Sequence, residues 1–359
     1  MAKNANLHAA KTAKNDEFFT RREDIENELR HYAEHFRGKV VYCNCDDPTY
    51  SEFWQFFVRN FTAWGLKKLI ATHYEPDAEV FSYKLEIAPD ENGQFSLFQE
   101  PIKTPLTCNG DFRSVECIEL LKEADIVVTN PPFSLFREFV AQLLEYRKKF
   151  VIIGNINAVT YKEFFPLLRD NKVWIGPSIH SGDRAFYVPD DYPLKAAGCG
   201  IDENGRKWIR VKGVRWFTNL DHKDRHALLD LRGNYYDPEK YPMYDNYAAI
   251  NIDKVDDIPI DYFGIMGVPI TFLDKYCPEQ FDILGITLGN TIDYPMERLY
   301  EGAVQHNKDG TTQGGSKVNT RAAILVKEKP MGKVFYTASN TDGYLLSIYP
   351  RILIRRKQG

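Results

Sequence analysis

Asn130, Pro131, Pro132 and Phe133 follow a short apolar segment, and their residue types can act together on a flat ring that carries an amino group. The carbonyl oxygens of Asn130 and Pro131 can both accept hydrogen bonds from an –NH₂ group. Such bonds draw the nitrogen lone pair out of the ring conjugation and orient it for attack. Phe133 can stack on the ring. The spacing therefore predicts a rigid site that acts on an amine.

The strand that positions Asn130 is predicted at 125–129, because the two prolines that follow cannot donate to a sheet ladder. Further strands are predicted at 39–43, 68–72, 150–154, 173–176 and 214–217, and helices at 52–64, 116–122 and 136–146. Strands that alternate with helices indicate βαβ units and a parallel α/β sheet. Such sheets bind ligands at the carboxyl ends of their strands, where we expect Asn130 to lie.

The alternation stops between residues 80 and 107, where YKLEIAPDENGQFSLFQ predicts a hairpin inserted in the sheet with its turn at Asn92-Gly93. Thr20 and Glu23 have the spacing of a capping box, which predicts a helix start. That start is either a plain cap or a binding site for an anion such as a carboxylate. Ser134 is the predicted N-cap of the helix at 136–146.

Acidic residues follow the first two predicted strands. Asp46 and Asp47 come after the first strand without a glycine-rich turn, so a dinucleotide or P-loop site is disfavoured. They would meet a cation or sugar hydroxyls, or one of them caps the next helix. Glu75 follows the second strand, roughly 20 to 30 residues after the first loop, where an acid suits ribose hydroxyls. His73 is interpreted as a packed or surface residue.

Asp111 could accept a hydrogen bond from an exocyclic amine while Phe112 lies on a ring, or the two residues form an ordinary turn. The net charge of the 359 residues is −4, but residues 301–359 contain ten basic and four acidic side chains, a local net charge of +6. This end is either a phosphate-binding surface or a solvated Lys-rich face. The six cysteines lack zinc-site spacing, so we predict no metal and a reduced, cytoplasmic protein without a membrane span.

Asn-Pro-Pro-Phe after a strand resembles the catalytic motif of amino-methyltransferases that use S-adenosylmethionine. The order of the stretches is similar to that of the adenine-N6 DNA group, with target recognition at the C-terminus. More closely, the chain resembles the EcoRI-type adenine-specific DNA methyltransferase family over about residues 14 to 290. The resemblance rests on DEFFT, VVYCNCDDP, VVTNPPFSLFREFV, VRWFTNLDH and MGVPITFLDKYCPEQFDILG, and more weakly on YPRILIRR.

The resemblance implies a Rossmann-like α/β sheet with helices on both faces and a C-terminal α+β target-recognition domain. It divides the chain into a flexible N-terminus at 1–13, an S-adenosylmethionine-binding catalytic domain at 14–220, and a DNA target-recognition domain at 221–359. The reaction would be methyl transfer to the exocyclic amine of an adenine flipped out of duplex DNA. Partners would be double-stranded DNA and, functionally, a cognate restriction endonuclease, with the enzyme a monomer or weak dimer.

Carried over by position, the resemblance assigns three groups of residues. The target adenine would be held by Asn130, Pro131, Pro132 and Phe133. S-adenosylmethionine would be held by Phe18, Thr20, Asn44, Asp46, Asp47, Glu75, Asp111 and Phe112. DNA contacts are predicted at Gln313, Lys317, Asn319 and Arg321. The family's usual glycine-bearing cofactor loop is replaced here by CNCDDP. An RNA base methyltransferase, a protein-glutamine methyltransferase and a DNA-binding module without catalysis remain alternatives.

Overall fold

The computed structural model describes residues 18–45, 47–75, 81–90, 95, 99–180, 182–194, 198–289 and 294–358. The chain divides into two compact units. The first contains the described residues of Met1–Ala158 and Val173–Lys223, and the second those of Val159–Lys172 and Asp224–Gly359. The division after Lys223 lies close to the predicted boundary at 221. The segment Val159–Lys172 belongs to the second unit, although the sequence analysis places it in the first.

The first unit contains β-strands and four α-helices among its described residues. The strands are β1 (Phe19–Thr20), β2 (Val40–Cys43), β3 (Lys68–Thr72), β4 (Tyr83–Ile87), β5 (Ile102–Pro105), β6 (Ile126–Thr129), β7 (Lys149–Asn155), β8 (Trp174–Ile175), β9 (Asp183–Tyr187), β10 (Cys199–Ile201), β11 (Lys207–Lys212) and β12 (Val214–Thr218). The helices are α1 (Arg22–Leu29), α2 (Glu52–Trp64), α3 (Val115–Glu123) and α4 (Phe136–Glu145). Short 3₁₀ helices span Arg30–Phe36 and Phe133–Leu135.

Eight of these strands form one mixed sheet in the order β5-β4-β3-β2-β6-β7-β12-β8. The central strands β3, β2, β6 and β7 are parallel, with Val41 paired to both Leu69 and Ile126. The flanking strands are antiparallel. Because β2 and β6 are adjacent and parallel, their carboxyl ends meet at one edge of the sheet, as predicted for Asn130.

The predicted hairpin is present as the antiparallel pair β4 and β5, which extends the sheet at β3. Its second strand is Ile102–Pro105, later in the chain than the sequence pattern suggested. The predicted turn at Asn92-Gly93 lies outside the described residues.

Buried side chains from the strands and helices form the core of this unit. Val41, Leu69 and Val128 pack in one cluster with the aromatic face of α2, including Phe53 and Phe57. Each fully buried phenylalanine contributes roughly 1.5–3 kcal/mol through the area that it removes from water. This rigid core holds the ends of β2, β3 and β6 in fixed relative positions.

Two predicted helix caps are wrong, although helices do begin close to both positions. Thr20 lies in β1, paired with Phe186 of β9, and the residue before α1 is Arg21, which makes no side-chain cap hydrogen bond. Likewise, α4 begins at Phe136 after a 3₁₀ turn, so Ser134 is not its N-cap. The strand β1 belongs to a second, antiparallel sheet in the order β1-β9-β11-β10, which the sequence analysis missed.

The second unit is built on two further sheets. Its strands are β13 (Ile250–Asn251), β14 (Ile265–Pro269), β15 (Phe281–Ile286), β16 (Val304–His306), β17 (Thr312–Gly314), β18 (Ala323–Val326), β19 (Phe335–Thr337), β20 (Tyr344–Ser347) and β21 (Arg351–Arg356), with the helix α5 (Phe165–Arg169). The sheet orders are β13-β14-β21-β15 and β17-β16-β19-β20-β18. In the described parts of both units, no helix has the length and apolar character needed to cross a membrane.

Candidate active site

Asn130 lies directly after β6 and is 5% exposed. Its Nδ2 donates a hydrogen bond of 2.6 Å to the backbone oxygen of Phe18. Its Oδ1 is buried and has no hydrogen-bond partner among the described residues. A buried polar atom without a partner is rare, because its desolvation is not compensated. The donor side of the amide is therefore fixed, and the acceptor side is left for a ligand.

Aromatic rings surround the end of β6. Pro131 is buried and Phe133 is half-buried. The Phe133 ring centroid lies 5.7 Å from that of Phe18 and 6.4 Å from that of Phe186. A buried amide oxygen and a partly open aromatic ring therefore lie within four residues of the chain, at the end of β6.

The loop after β2 is tied to β6. The hydroxyl of Thr129 donates to the backbone oxygen of Asn44, a residue that is 1% exposed. The side-chain Oδ1 of Asn44 is a second buried acceptor that has no hydrogen-bond partner in the described part of the chain. Both unpaired amide oxygens therefore lie at the ends of neighbouring strands.

A cleft of about 740 Å³ opens in the first unit. Of the predicted cofactor residues, Thr20, Asp47 and Glu75 line it, and β1 connects it to Phe18, the anchor of Asn130. Its other lining residues, which the sequence analysis did not assign to a site, are Phe19, Cys45, Tyr50, Glu52, His73, Tyr74, Tyr187, Val188, Pro189, Asp190, Asp191 and Arg206. Carboxylates outnumber the single arginine, so this wall favours a cationic ligand or one rich in hydroxyls.

Thr20 places a buried hydroxyl group on the cleft wall. It is 2% exposed, and its Oγ1 has no hydrogen-bond partner among the residues that the structure describes. The unpaired hydroxyl is thus available to a ligand in the cleft.

The loop after β2 has an unusual backbone. Cys45 has φ +67°, in the left-handed region that favours glycine. A conformation of this kind costs of order 1–3 kcal/mol for a side-chain-bearing residue and is concentrated at functional sites. Cys45 therefore adopts, within CNCDDP, a backbone conformation that glycine adopts more readily. Asp46, a predicted cofactor residue, lies outside the described residues.

His73 was interpreted from the sequence as a packed or surface residue, but it lies between two acids of the cleft. Its Nδ1 is 3.3 Å from an oxygen of Asp47, and its Nε2 is 3.5 Å from an oxygen of Glu75. The Asp47 carboxylate, with a smaller contribution from Glu75, raises the pKa of His73 against the opposing effect of burial. The signal in the sequence was its place at a strand end between acids.

Asp111 and Phe112 are engaged with protein groups. The Asp111 carboxylate accepts hydrogen bonds from Nε and Nη2 of Arg113, at 2.9 and 2.6 Å, and these lower the pKa of Asp111. Phe112 is 5% exposed and packs edge-on against Phe139 at 5.1 Å. Neither residue is among those that line the cleft. An adenine in this place would have to compete with Arg113.

The four predicted DNA-contact residues all lie in the second unit, but their side chains differ in exposure and in the contacts they make. Gln313 on β17 and Lys317 are exposed. The Arg321 guanidinium lies 5.5 Å from the centre of the Tyr349 ring. The Asn319 amide, by contrast, accepts from the backbone N–H and donates to the backbone oxygen of Tyr300, both at 2.8 Å. Asn319 therefore stabilises the chain locally and has little capacity left for bases.

Comparison with known proteins gives a consistent result. The family described as adenine-specific methyltransferase EcoRI matches residues 6–357. The chain is 50% identical over 301 residues to the type II methyltransferase M.EcoRI of Escherichia coli, covering 80% of this chain and 92% of that protein. It is 43% identical over 282 residues to the type II methyltransferase M.MpnI of Mycoplasma pneumoniae, covering 77% and 84%. It is 40% identical over 283 residues to the type II methyltransferase M.MgeORF184P of Mycoplasma genitalium, covering 77% and 85%. The chain is therefore an enzyme that belongs to the EcoRI family of adenine-specific methyltransferases.

Proposed function

We propose that this enzyme transfers a methyl group from S-adenosylmethionine to the N6 amine of an adenine flipped out of duplex DNA. The observation that carries the proposal is the buried Asn130 amide, whose nitrogen is held by Phe18 and whose oxygen has no partner among the described residues. An acceptor of this kind, next to the Pro131 carbonyl and the Phe133 ring, matches an aromatic amine.

Asn130 would act by orientation and electrostatics. Its Oδ1 and the Pro131 carbonyl would accept hydrogen bonds from the two N6–H groups, which turns the nitrogen lone pair toward the methyl donor and stabilises the positive charge that develops on N6. The methyl group would pass from the sulfonium sulfur to N6, the sulfur would keep the electron pair of the broken bond, and N6 would then release one proton to water. Because the Nδ2 bond to Phe18 fixes the amide, little reorganisation is needed.

Phe133 would stack on the target base. The amine of a base-paired adenine is hidden in the duplex, so the base must leave the helix to reach Asn130. The half-buried ring is braced by Phe18 and Phe186, which limits its movement. Stacking on such a ring contributes about 1–3 kcal/mol per base, which offsets part of the cost of unstacking.

The acidic cleft suits S-adenosylmethionine, which supplies an activated methyl group on a sulfonium centre. Thr20 on the cleft wall offers an unpaired acceptor for the ammonium group, and Glu75 can accept from ribose hydroxyls. Asn44, which is not among the residues that line the cleft, offers a second unpaired acceptor at the end of β2. Asp47 adds negative charge that complements the cation. Phe18 would contribute its backbone through Asn130, while Asp111 and Phe112 would serve the adenine end only if Arg113 moves.

The two units would have separate tasks. The mixed sheet, with four central parallel strands, is proposed as a Rossmann-like catalytic domain, and the second unit as the DNA target-recognition domain. The exposed Gln313 and Lys317, together with Arg321, are proposed to contact DNA, since Arg and Gln can read bases and Lys binds phosphate. Asn319 is proposed to support this segment through Tyr300.

The substrate class can be tested by competition. The full-length enzyme would be given methyl-labelled S-adenosylmethionine with equal nucleotide amounts of unmethylated duplex DNA and folded RNA, and separately with a protein extract. The proposal predicts label in DNA, without loss when RNA is added. Label that enters RNA and is competed poorly by DNA would support the RNA alternative and contradict the proposal.

A further inference from the structure

The side chain of His73 connects the loops that follow two adjacent strands. Asp47 follows β2 and Glu75 follows β3, and the two ring nitrogens of His73 lie 3.3 Å and 3.5 Å from their carboxylates. All three side chains line the same cleft. The imidazole thus lies between the two carboxylates, with one nitrogen near each of them.

The position of His73 is fixed by its surroundings. Its backbone N–H donates to the Tyr83 oxygen at 2.9 Å, and its own oxygen accepts from the Ser82 hydroxyl at 2.6 Å. Gly110, at φ +79°, packs so closely that a Cβ there would lie 2.1 Å from the His73 oxygen. The imidazole stacks on the Tyr83 ring at 5.0 Å with a 28° angle between the planes. Because the His73 backbone and imidazole are both fixed by these contacts, we expect the protonation state of the ring to be what changes.

We propose that protonated His73 is a positioning residue that holds Asp47 and Glu75 together in the geometry that binds S-adenosylmethionine. The inference rests on the proposed function of the cleft. A protonated imidazole has two N–H donors, one for each carboxylate. A neutral imidazole has one donor and one lone pair, and the lone pair would face and release one of the two acids.

The charges around the ring favour the protonated form. The Asp47 and Glu75 carboxylates raise the pKa of His73. Burial alone would raise the pKa of Asp47, but His73 and the Thr49 backbone N–H lower it. A histidine with a raised pKa keeps its charge below that pKa and loses it as the pH rises through it. The paired arrangement is therefore present near pH 6 and lost at a pH above the ordinary value of about 6.5.

Other ionisable groups surround the same ring. Burial raises the pKa of Tyr83, which therefore stays neutral in this pH range. Lys103 lies over the Tyr83 ring with its Nζ 3.7 Å from the centroid. The remaining ionisable groups of the cleft and of the turn at Gly110 are Cys45, Tyr50, Glu52, Tyr74, Cys108, Asp111, Tyr187, Asp190, Asp191 and Arg206. A variant at His73 separates its titration from theirs.

The test is the affinity for S-adenosylmethionine and for S-adenosylhomocysteine, which lacks the sulfonium charge, measured from pH 6 to pH 9. Wild type, His73→Gln and Ser82→Ala would be compared as full-length proteins. In wild type, both affinities should fall about threefold to tenfold with rising pH, the value of one net hydrogen bond. His73→Gln should bind weakly and keep only the slope that comes from the ligand's own ammonium group, so that its profile is shallower than that of wild type. Ser82→Ala, which removes only the bond to the His73 oxygen, should keep the wild-type slope.

Three results would overturn the inference: a flat wild-type profile, the same slope in His73→Gln, or affinity that rises with pH. A slope for S-adenosylmethionine alone would also overturn it, because that pattern indicates net charge acting on the sulfonium and not positioning. If His73→Gln does not fold, His73→Asn takes its place in the comparison with wild type, with the same two ligands. Failure of wild type to bind either ligand at any pH would instead contradict the proposed function.

Discussion

The functional groups at the end of β6 and those at the ends of β2 and β3 are kept in place by different interactions. Asn130 is held by a backbone carbonyl, and Phe133 is held by neighbouring rings, without ionisable groups in these contacts. Asp47 and Glu75 lie 3.3 Å and 3.5 Å from the nitrogens of the titratable ring of His73, which is proposed to hold them. With the proposed function, this difference predicts a base pocket that is insensitive to pH and a cofactor cleft that is sensitive to it. Variants that act on one end and spare the other test this division.

The largest expected effect is at Asn130. Asn130→Ala removes the unpaired acceptor, and a preorganised polar contact to a developing charge is worth about 10²- to 10³-fold in rate. We expect this loss in the single-turnover rate at saturating S-adenosylmethionine, with cofactor affinity changed less than about twofold. Asn204→Ala, at an exposed turn of the same unit, is the matched control and should behave as wild type. If the affinity for S-adenosylmethionine fell together with the rate, the end of β6 and the cofactor cleft could not be treated as separate.

Phe133→Leu should have the next largest effect. Leucine keeps apolar bulk against Phe18 but has no aromatic face, so base stacking worth about 1–3 kcal/mol is lost. We expect the fluorescence of 2-aminopurine at the target position to show less flipped base, and the methylation rate to fall about fivefold to 150-fold. Equal flipping by both proteins would remove Phe133 from the base pocket.

Thr20→Val tests the proposed cofactor cleft, because it should leave thermal stability unchanged or raised while it weakens the binding of S-adenosylmethionine. The change removes a buried hydroxyl without a partner in the described residues, so the free enzyme should be as stable as wild type or slightly more stable in thermal unfolding. The KM for S-adenosylmethionine should rise about twofold to tenfold, because one hydrogen bond to the ligand is lost. A destabilised protein with unchanged KM would show that the hydroxyl has a structural partner.

The smallest expected effect is that of pH on the base pocket. At saturating S-adenosylmethionine, the single-turnover rate of wild type should vary by less than about twofold between pH 6.5 and 8.5, since no titrating contact holds Asn130. The measurement needs cofactor concentrations well above the dissociation constant at each pH. A steep rate profile under these conditions would place an ionisable group in the methyl-transfer step.

Much of the central sheet was predictable because its signals are local. The strands β2, β3, β6 and β7 are short apolar runs between turn residues, and the periodicity of α2 gave its bounds as observed, Glu52–Trp64. Asn130 could be placed at a strand end from the two prolines alone. The pairing of β1 with β9 was missed, because it joins Thr20 to Phe186 across most of the unit.

Partners that are distant in sequence also explain why the interactions of some site residues could not be predicted. Nothing near Asn319 in the sequence indicates that its amide is engaged by Tyr300. His73 could be judged only after β2 and β3 had brought two acids to its two nitrogens. Asp111 is the exception, because Arg113 stands two residues away and an i, i+2 ion pair at a turn could have been considered.

The most direct test of the account is product analysis with Asn130 as the variable. Unmethylated genomic DNA would be incubated with S-adenosylmethionine and either wild type or Asn130→Ala, digested to nucleosides and analysed by mass spectrometry. The account predicts N6-methyladenine from wild type and a yield reduced at least about 100-fold from the variant at equal time. N6-methyladenine formed equally by both proteins, or a methyl group found on another base, would contradict it.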